Sequence, residues 1–213
     1  MKRPTPAPRV LLVEGKDEQY VLPELLELAG IPWPRGHEPV FIEESDGVEN
    51  LLVREIITTE LKIAGLEALG LVLDANGDVA GRWHRVRTVL GSIRADFPST
   101  LDPAGIVLEE PGQPRLGVWL MPDNIRAGML ETLLLAASDE ALRDHARLAT
   151  ATAKDLGAPF KDSHRDKALL HAWLAWQDPP GQQLPLAVKA RSLNAAAPAL
   201  APFVAWFRRL YQI

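Results

Sequence analysis

Val10-Leu11-Leu12-Val13 runs directly into Glu14-Gly15-Lys16-Asp17, and this one stretch narrows the possible folds more than any other part of the chain. Four apolar residues without a polar break read as a strand buried on both faces, the environment that a parallel sheet in an α/β fold provides. The acids then fall at the carboxyl end of that strand. In open α/β sheets this edge binds ligands, because the loops leaving the strands open a crevice there. Gly15 lets the chain turn without a Cβ in the way, and Asp17 stands where it can cap or enter the next helix. A carboxylate at a strand tip beside a glycine turn suits a hard cation such as Mg2+.

The segments that follow alternate. Leu22, Leu25, Leu26 and Leu28 recur at helical spacing up to Gly30 and Pro32. Pro39 to Ile42 is the expected second strand, followed by Glu43, Glu44 and Asp46. Leu51, Leu52, Ile56, Ile57 and Leu61 form the stripe of one helix from Val48 to Ala64, stopped at Gly65. Leu69 to Leu73 is a third apolar strand ending on Asp74, and a helix from about Val79 to Ala95 follows it. Such alternation implies parallel strands joined by right-handed crossovers. After Pro98 the pattern changes. Residues 106–108 and 116–121 predict a strand pair joined through Pro111-Gly112-Gln113-Pro114, and Met129 to Ala137 predicts a helix. The tail reads as helical near 139–150, 164–177 and 199–212, with Trp173, Trp176 and Trp206 on an apolar face. The expected organisation is a loose arm over residues 1–8, an α/β domain over 9–137 and a helical extension over 138–213 packed on it.

Charge and composition exclude several classes. The 213 residues carry a net charge of −5, which argues against a broad electrostatic track for nucleic acid while leaving room for a local basic rim. With no cysteine there is no disulfide, thiolate metal site or thiol nucleophile. Met1 to Pro8 has no apolar core of signal-peptide length, and no later run reaches bilayer-spanning length. The expected location is therefore cytoplasmic, with no membrane partner.

Two buried strands end alike, Val13-Glu14-Gly15 and Leu73-Asp74-Ala75-Asn76. Residues i and i+2 of an extended chain point to one side, so Asp74 and Asn76 can present oxygens toward one point. If the two strands are neighbours, Glu14 joins them. Glu14-Gly15-Lys16-Asp17 followed by a later Asp-x-(Asp/Asn) resembles the TOPRIM domain of topoisomerases, primases, recombination factors and OLD-type nucleases. Gly117 to Asn124, Gly128 to Glu131, His171 to Gln177 and the stretch from Leu186 resemble more closely the small stand-alone TOPRIM-like proteins grouped as a family of unknown function.

The resemblance implies a TOPRIM-like, Rossmann-like, mostly parallel sheet flanked by helices with a C-terminal helical extension. It implies metal-dependent hydrolysis or transfer of phosphodiester bonds in nucleic acid with Mg2+ or Mn2+. Glu14 would bind metal or move a proton, Asp74 and Asn76 would bind metal, and Glu131 would help hold a second ion. Lys167 would stand near the phosphate, with Gly15, Asp17, Asp78 and Asp123 in support. Asn76 departs from the aspartate usual at its position, and one charge fewer weakens the hold on a divalent cation. The alternative is a binding or regulatory module with a degenerate site. Oligomeric state and protein partners stay open.

Plainer roles exist for the same residues. Glu14 and Asp17 suit a helix entry, where acids meet the positive end of the dipole. Asp78 suits a helix cap after an Asn-Gly turn, and Asp123 suits a cap before the helix near Gly128. Glu131 in an otherwise apolar helix needs a partner if it faces the packed side. His164 and His171 share a helical face but lack a third zinc ligand, which favours ordinary surface or capping roles.

Overall fold

The structure is a computed structural model that describes residues 7–190, 193, 194 and 196–213. The first six residues of the expected arm lie outside the described residues. Its last two are docked: Ala7 is buried, and the Pro8 carbonyl accepts the N–H groups of Glu67 and Ala68.

Among the described residues five strands form one sheet: β1 (Arg9–Val13), β2 (Phe41–Glu44), β3 (Ala68–Asp74), β4 (Ile106–Leu108) and β5 (Arg115–Met121). Their spatial order is β2-β1-β3-β5-β4. The first four in that order run parallel, and only the edge strand β4 runs against its neighbour. The helices are α1 (Lys16–Leu28), α2 (Val48–Leu51), α3 (Arg54–Leu61), α4 (Val79–Gly91), α5 (Leu130–Ala136), α6 (Glu140–Asp155), α7 (Arg165–Leu174), α8 (Leu184–Lys189) and α9 (Ala201–Tyr211). The architecture is thus the mostly parallel α/β sheet flanked by helices that strand–helix alternation implies. No helix among the described residues is long and apolar enough to cross a membrane.

The period of two along each strand divides the apolar residues between two cores. Val10, Leu12, Leu69, Leu71, Leu73, Leu116, Val118 and Leu120 face the side covered by α4, with Trp83, Val86 and Leu90. Leu11, Val13, Ala68, Val72, Trp119 and Met121 face the other side, together with α1, α5 and the tail helices α7 to α9. Both faces of β1, β3 and β5 are therefore apolar, which is why these strands read as unbroken hydrophobic runs.

Two glycines decide how the chain's end meets the sheet. Gly70 and Gly117 are direct partners in the β3–β5 register, and α9 lies over the pair. A Cβ on Gly117 would come within 2.5 Å of Leu210, and one on Gly70 would strike the Tyr211 hydroxyl. That buried hydroxyl donates to the Val10 carbonyl at 2.7 Å, and burial pushes its pKa well above the usual tyrosine value. The Trp206 indole N–H donates to the Ile106 carbonyl, and the Arg115 guanidinium donates to the Leu210 carbonyl. Trp119, Phe203, Trp206, Phe207 and Tyr211 pack ring on ring beneath the helix.

Three expectations change. The helix expected over 48–64 is two helices, α2 and α3, because the chain leaves helical geometry at Leu52 and is extended at Val53. The short α8, started by Gln183 with Pro185 in its first turn, falls between the expected tail segments. Trp173 and Trp206 are buried as core residues, but Trp176 is 46% exposed because it lies past the end of α7. Replacing Gly117 with alanine should lower the unfolding free energy by about 1–3 kcal/mol, the usual range for a methyl forced into a close-packed contact. Urea unfolding would measure it, and an unchanged midpoint would contradict this packing of α9.

Candidate functional site

The candidate site lies at the carboxyl edge of β1 and β3, where α1 and α5 begin. Position 14 shares a strand side with Val10 and Leu12, the side of α4. There Glu14 has Arg82 of α4 beside it, with Nη2 3.9 Å from Oε1. The same oxygen accepts the backbone N–H of Asp74 at 2.9 Å. Asp74 is one residue further along its strand side from Val72 and faces the opposite way, so its Oδ1 accepts the Leu130 N–H of α5 at 3.1 Å. Parallel pairing of β1 with β3 thus ties two acids 60 residues apart through one backbone amide.

Two more carboxylates enter from the helices. Glu18 in the first turn of α1 is only 7% exposed, and its Oε2 accepts the Gly15 N–H at 3.1 Å, closing the turn between strand and helix. Glu131 in the first turn of α5 is 5% exposed, and its Oε1 lies 3.3 Å from the Lys167 ammonium. Lys167, on α7, also donates to Asp17 at 3.0 Å. The α7 turn that carries it is fixed by Asp166, whose Oδ2 accepts the Thr132 hydroxyl of α5 at 2.5 Å. Glu14, Asp17, Glu18, Glu44, Asp46, Asp74, Asn76 and Glu131 line one cavity of about 570 Å³, together with Lys16, His164 and Lys167.

The electrostatics follow from gathering like charges where water is scarce. Burial pushes the Asp74 pKa well above the usual aspartate value, and the charges of Glu18, Glu14 and Glu131 push it further. Burial also raises Glu18, with Glu131, Glu14 and Asp17 adding to it. Glu14 is raised by burial, with Arg82 the largest opposing influence. Partial burial works against the Lys167 ammonium, but Asp17 and Glu131 outweigh it and hold the pKa above the ordinary lysine value.

The other residues singled out in the sequence divide. Gly15 supplies the N-cap backbone of α1, while Asp17 leaves the cap to Glu18 and pairs with Lys167 instead. Asn76 lines the cavity with a left-handed backbone (φ 53°), and it exchanges backbone hydrogen bonds of 2.7 Å with Gly128 in both directions. It therefore does not continue the extended strand on which the i, i+2 geometry depends. Asp78 does not line the cavity; its carboxylate caps α4 by accepting from Gly81 N–H at 2.9 Å. Asp123 also stands apart. It accepts from the N–H groups of Ile125 and Arg126 and pairs with the Arg126 side chain at 2.6 Å. His164 and His171 separate, the first at the acid-lined cavity and the second beside an adjoining groove.

Sequence reasoning missed Glu44 and Asp46 of the cavity wall and, above all, the buried Glu18. The signal for Glu18 was available: positions 18, 21, 22 and 25 form one helical stripe, and a carboxylate on an apolar stripe is buried with its partners or not at all. The donor set is all oxygen, which suits a hard cation. The carboxylates are neighbours but not a closed cage, since no group of three His, Cys, Asp or Glu side chains among the described residues stands ready to hold a metal ion.

A pH dependence follows. The folded-state pKa values of Glu14, Glu18 and Asp74 are raised, so the folded state binds more protons than the unfolded one above the ordinary carboxylate range. The stability these groups contribute is fully present below that range and is lost as pH rises through the raised values. Asp74→Asn keeps an oxygen for the Leu130 N–H and removes the charge. It should raise the melting temperature at pH 7 without added metal by roughly 2–4 °C, the shift that about 1 kcal/mol gives a chain of this size. The gain should shrink as pH falls toward about 4, where carboxylates protonate in the unfolded chain too. Thermal melts across pH would check it; a gain that grew on acidification would refute this account of the cluster.

Comparisons with known proteins add the following. No curated protein matches the sequence. The C-terminal region of the OLD protein of Xanthomonas campestris pv. campestris, in structures phased with mercury, platinum and iodine, overlaps the chain with TM-scores of 0.41, 0.45 and 0.42. The identities are 16%, 17% and 16%, and the overlaps cover 93%, 97% and 97% of this chain and 85%, 93% and 93% of those chains. Overlap at that level carries no argument about activity. Residues 8–212, nearly the whole chain, match one family, and the protein belongs to it: the family described as "Protein of unknown function (DUF3226)".

Proposed function

We propose that this protein hydrolyses or transfers phosphodiester bonds in nucleic acid with the help of Mg2+ or Mn2+, as a TOPRIM-type nuclease. The observation that carries the reading is the meeting of Glu14, Glu18, Asp74 and Glu131, with Lys167, around one cavity at the carboxyl edge of the parallel strands. Glu14, Asp74 and Glu131 would hold the metal, with Asn76 as a neutral oxygen donor and Glu18 beside them. A divalent ion bound there supplies polarisation of the phosphodiester and offsets negative charge on the attacking and leaving oxygens.

The chain's own groups do the rest. The Asp74 amide fixes Oε1 of Glu14, which leaves Oε2 either to hold the metal or to take a proton from an attacking water. Burial raises the basicity of that carboxylate, in the direction a general base requires. Lys167 is held at the rim by Asp17 and Glu131, where its ammonium can meet a non-bridging phosphate oxygen. Lys16 and His164 add positive or polar character at the same edge. Asp17, Glu44 and Asp46 line the same cavity, so a polyanion would be met at one point, through the bound cation and Lys167, which suits a chain of net charge −5.

A second reading is a metal-dependent recognition or regulatory module. Asn76 favours it, since an amide replaces a carboxylate and its backbone is bound into the bridge with Gly128. The experiment that separates the two is a nuclease assay on labelled DNA and RNA with Mg2+ and Mn2+, on the wild type beside Glu14→Gln, Asp74→Asn and Lys167→Met. Cleavage that falls about 100-fold or more in the first two variants is expected, the range lost with a positioned acid–base group or metal ligand. Lys167→Met should lower it less. Equal cleavage by all four proteins would mean a contaminant. Saturable Mn2+ binding without cleavage would favour the recognition module.

A further inference from the structure

Arg82 is the feature of this region that catalysis leaves unexplained. Its side chain is 10% exposed, its Nη1 atom is buried without a hydrogen-bond partner, and its Nη2 atom lies 3.9 Å from Glu14 Oε1. It does not line the cavity. It approaches Glu14 from α4, behind the acid, while the other carboxylates of the cluster approach from α1, β3 and α5. A buried guanidinium with an idle donor is expensive unless an opposite charge needs it there. Lys167, the cation on the cavity side, is already shared by Asp17 and Glu131 and reaches neither Glu14 nor Asp74 among its ion pairs.

We infer that Arg82 is a positioning residue, the resident counter-cation that anchors Oε1 of Glu14 at the back of the cavity and keeps the acid cluster folded when no divalent ion is bound. This rests on the reading of the cluster as a cation site and adds a division of labour to it. Glu14 Oε1 belongs to the protein, through the Asp74 amide and Arg82, and Oε2 is left for the ligand. At 3.9 Å the two groups make no direct hydrogen bond, so Arg82 acts on Glu14 through its charge. Arg85 also favours the Glu14 charge, more weakly than Arg82, and the charge of its partner Glu49 opposes it. Arg85 is paired with Glu49 at 2.7 Å and is half exposed.

The test uses the full-length chain, with MnCl2 as the probe cation. Arg82→Met keeps much of the side-chain volume and should lower the melting temperature by several degrees in EDTA. Millimolar Mn2+ should restore most of that loss, and Arg82→Lys should retain most of the wild-type value throughout. In a Glu14→Gln background the same Arg82→Met change should lose less than half as much. If the loss is equal in both backgrounds, Arg82 is only packing and the inference falls. If Mn2+ moves none of the melts but the double-mutant cycle shows coupling, the cation-site reading fails while the Arg82–Glu14 link stands. If Mn2+ stabilises the wild type but the cycle shows no coupling, the cation site stands and the role of Arg82 is overturned.

Discussion

The hydrogen bond from the Asp74 amide to Glu14 Oε1 is the point on which the carboxyl edge is built. It exists only because β1 and β3 are adjacent, parallel and in the register that pairs Val13 with Val72. A shift of one residue would send every side chain of β1 to the opposite face, placing Val10 and Leu12 in the wrong core and Glu14 on the side away from α4. The hydrophobic pattern therefore enforces the electrostatic one. Apolar residues on both faces of β1 fix the register, and the register delivers a carboxylate to an amide that would otherwise lack a partner.

The same logic explains the depth at which the tail helices sit. Gly70 and Gly117 open a trough in the sheet face opposite α4, and the last turn of α9 fills it with Leu210 and Tyr211. The Tyr211 hydroxyl donates back to β1, four residues before Glu14. The chain's end and the strand that carries the candidate site are thus parts of one packed body, while α5 and α7 share the same core beside them. Lys167 reaches Glu131 and Asp17 because Asp166 is bonded to Thr132, which joins α7 to the helix that carries Glu131. A residue far along the tail is brought to the strand tips by ordinary helix packing.

Legibility in the sequence divided along physical lines. β1 and β3 were plain because a strand buried on both faces leaves an unbroken apolar run, and Glu14 and Asp74 were plain because each ends such a run. Lys167 was reached only through resemblance, and Glu131 stood out locally only as an acid in an apolar helix, since nothing local says that α5 and α7 meet at the strand tips. Glu18 was passed over although its place on the Val21–Leu22–Leu25 stripe marked it as buried. Asp78 and Asp123 looked like site acids because a cap and a ligand use the same residue type; only the location of the nearest backbone N–H groups distinguishes them. The break between α2 and α3 carries no glycine or proline to announce it. There the apolar stripe continues across a change of direction imposed by packing.

The cluster is, finally, a place where local and global preferences conflict, and the conflict is informative. Burial disfavours the charge of Glu14, Glu18 and Asp74, Glu131 stands beside them, and the protein places one lysine on the cavity side and one arginine behind. Such an arrangement lowers stability relative to a neutral or apolar edge, because desolvated charges are recovered only in part by their partners. Folding energetics alone would not favour it. Asp78 and Asp123, by contrast, are satisfied locally, one as a helix cap and the other by its own loop and Arg126. Relief of that repulsion by an incoming positive charge would be a source of binding energy, which is why the cation site is proposed at this sheet edge and not at the locally capped acids.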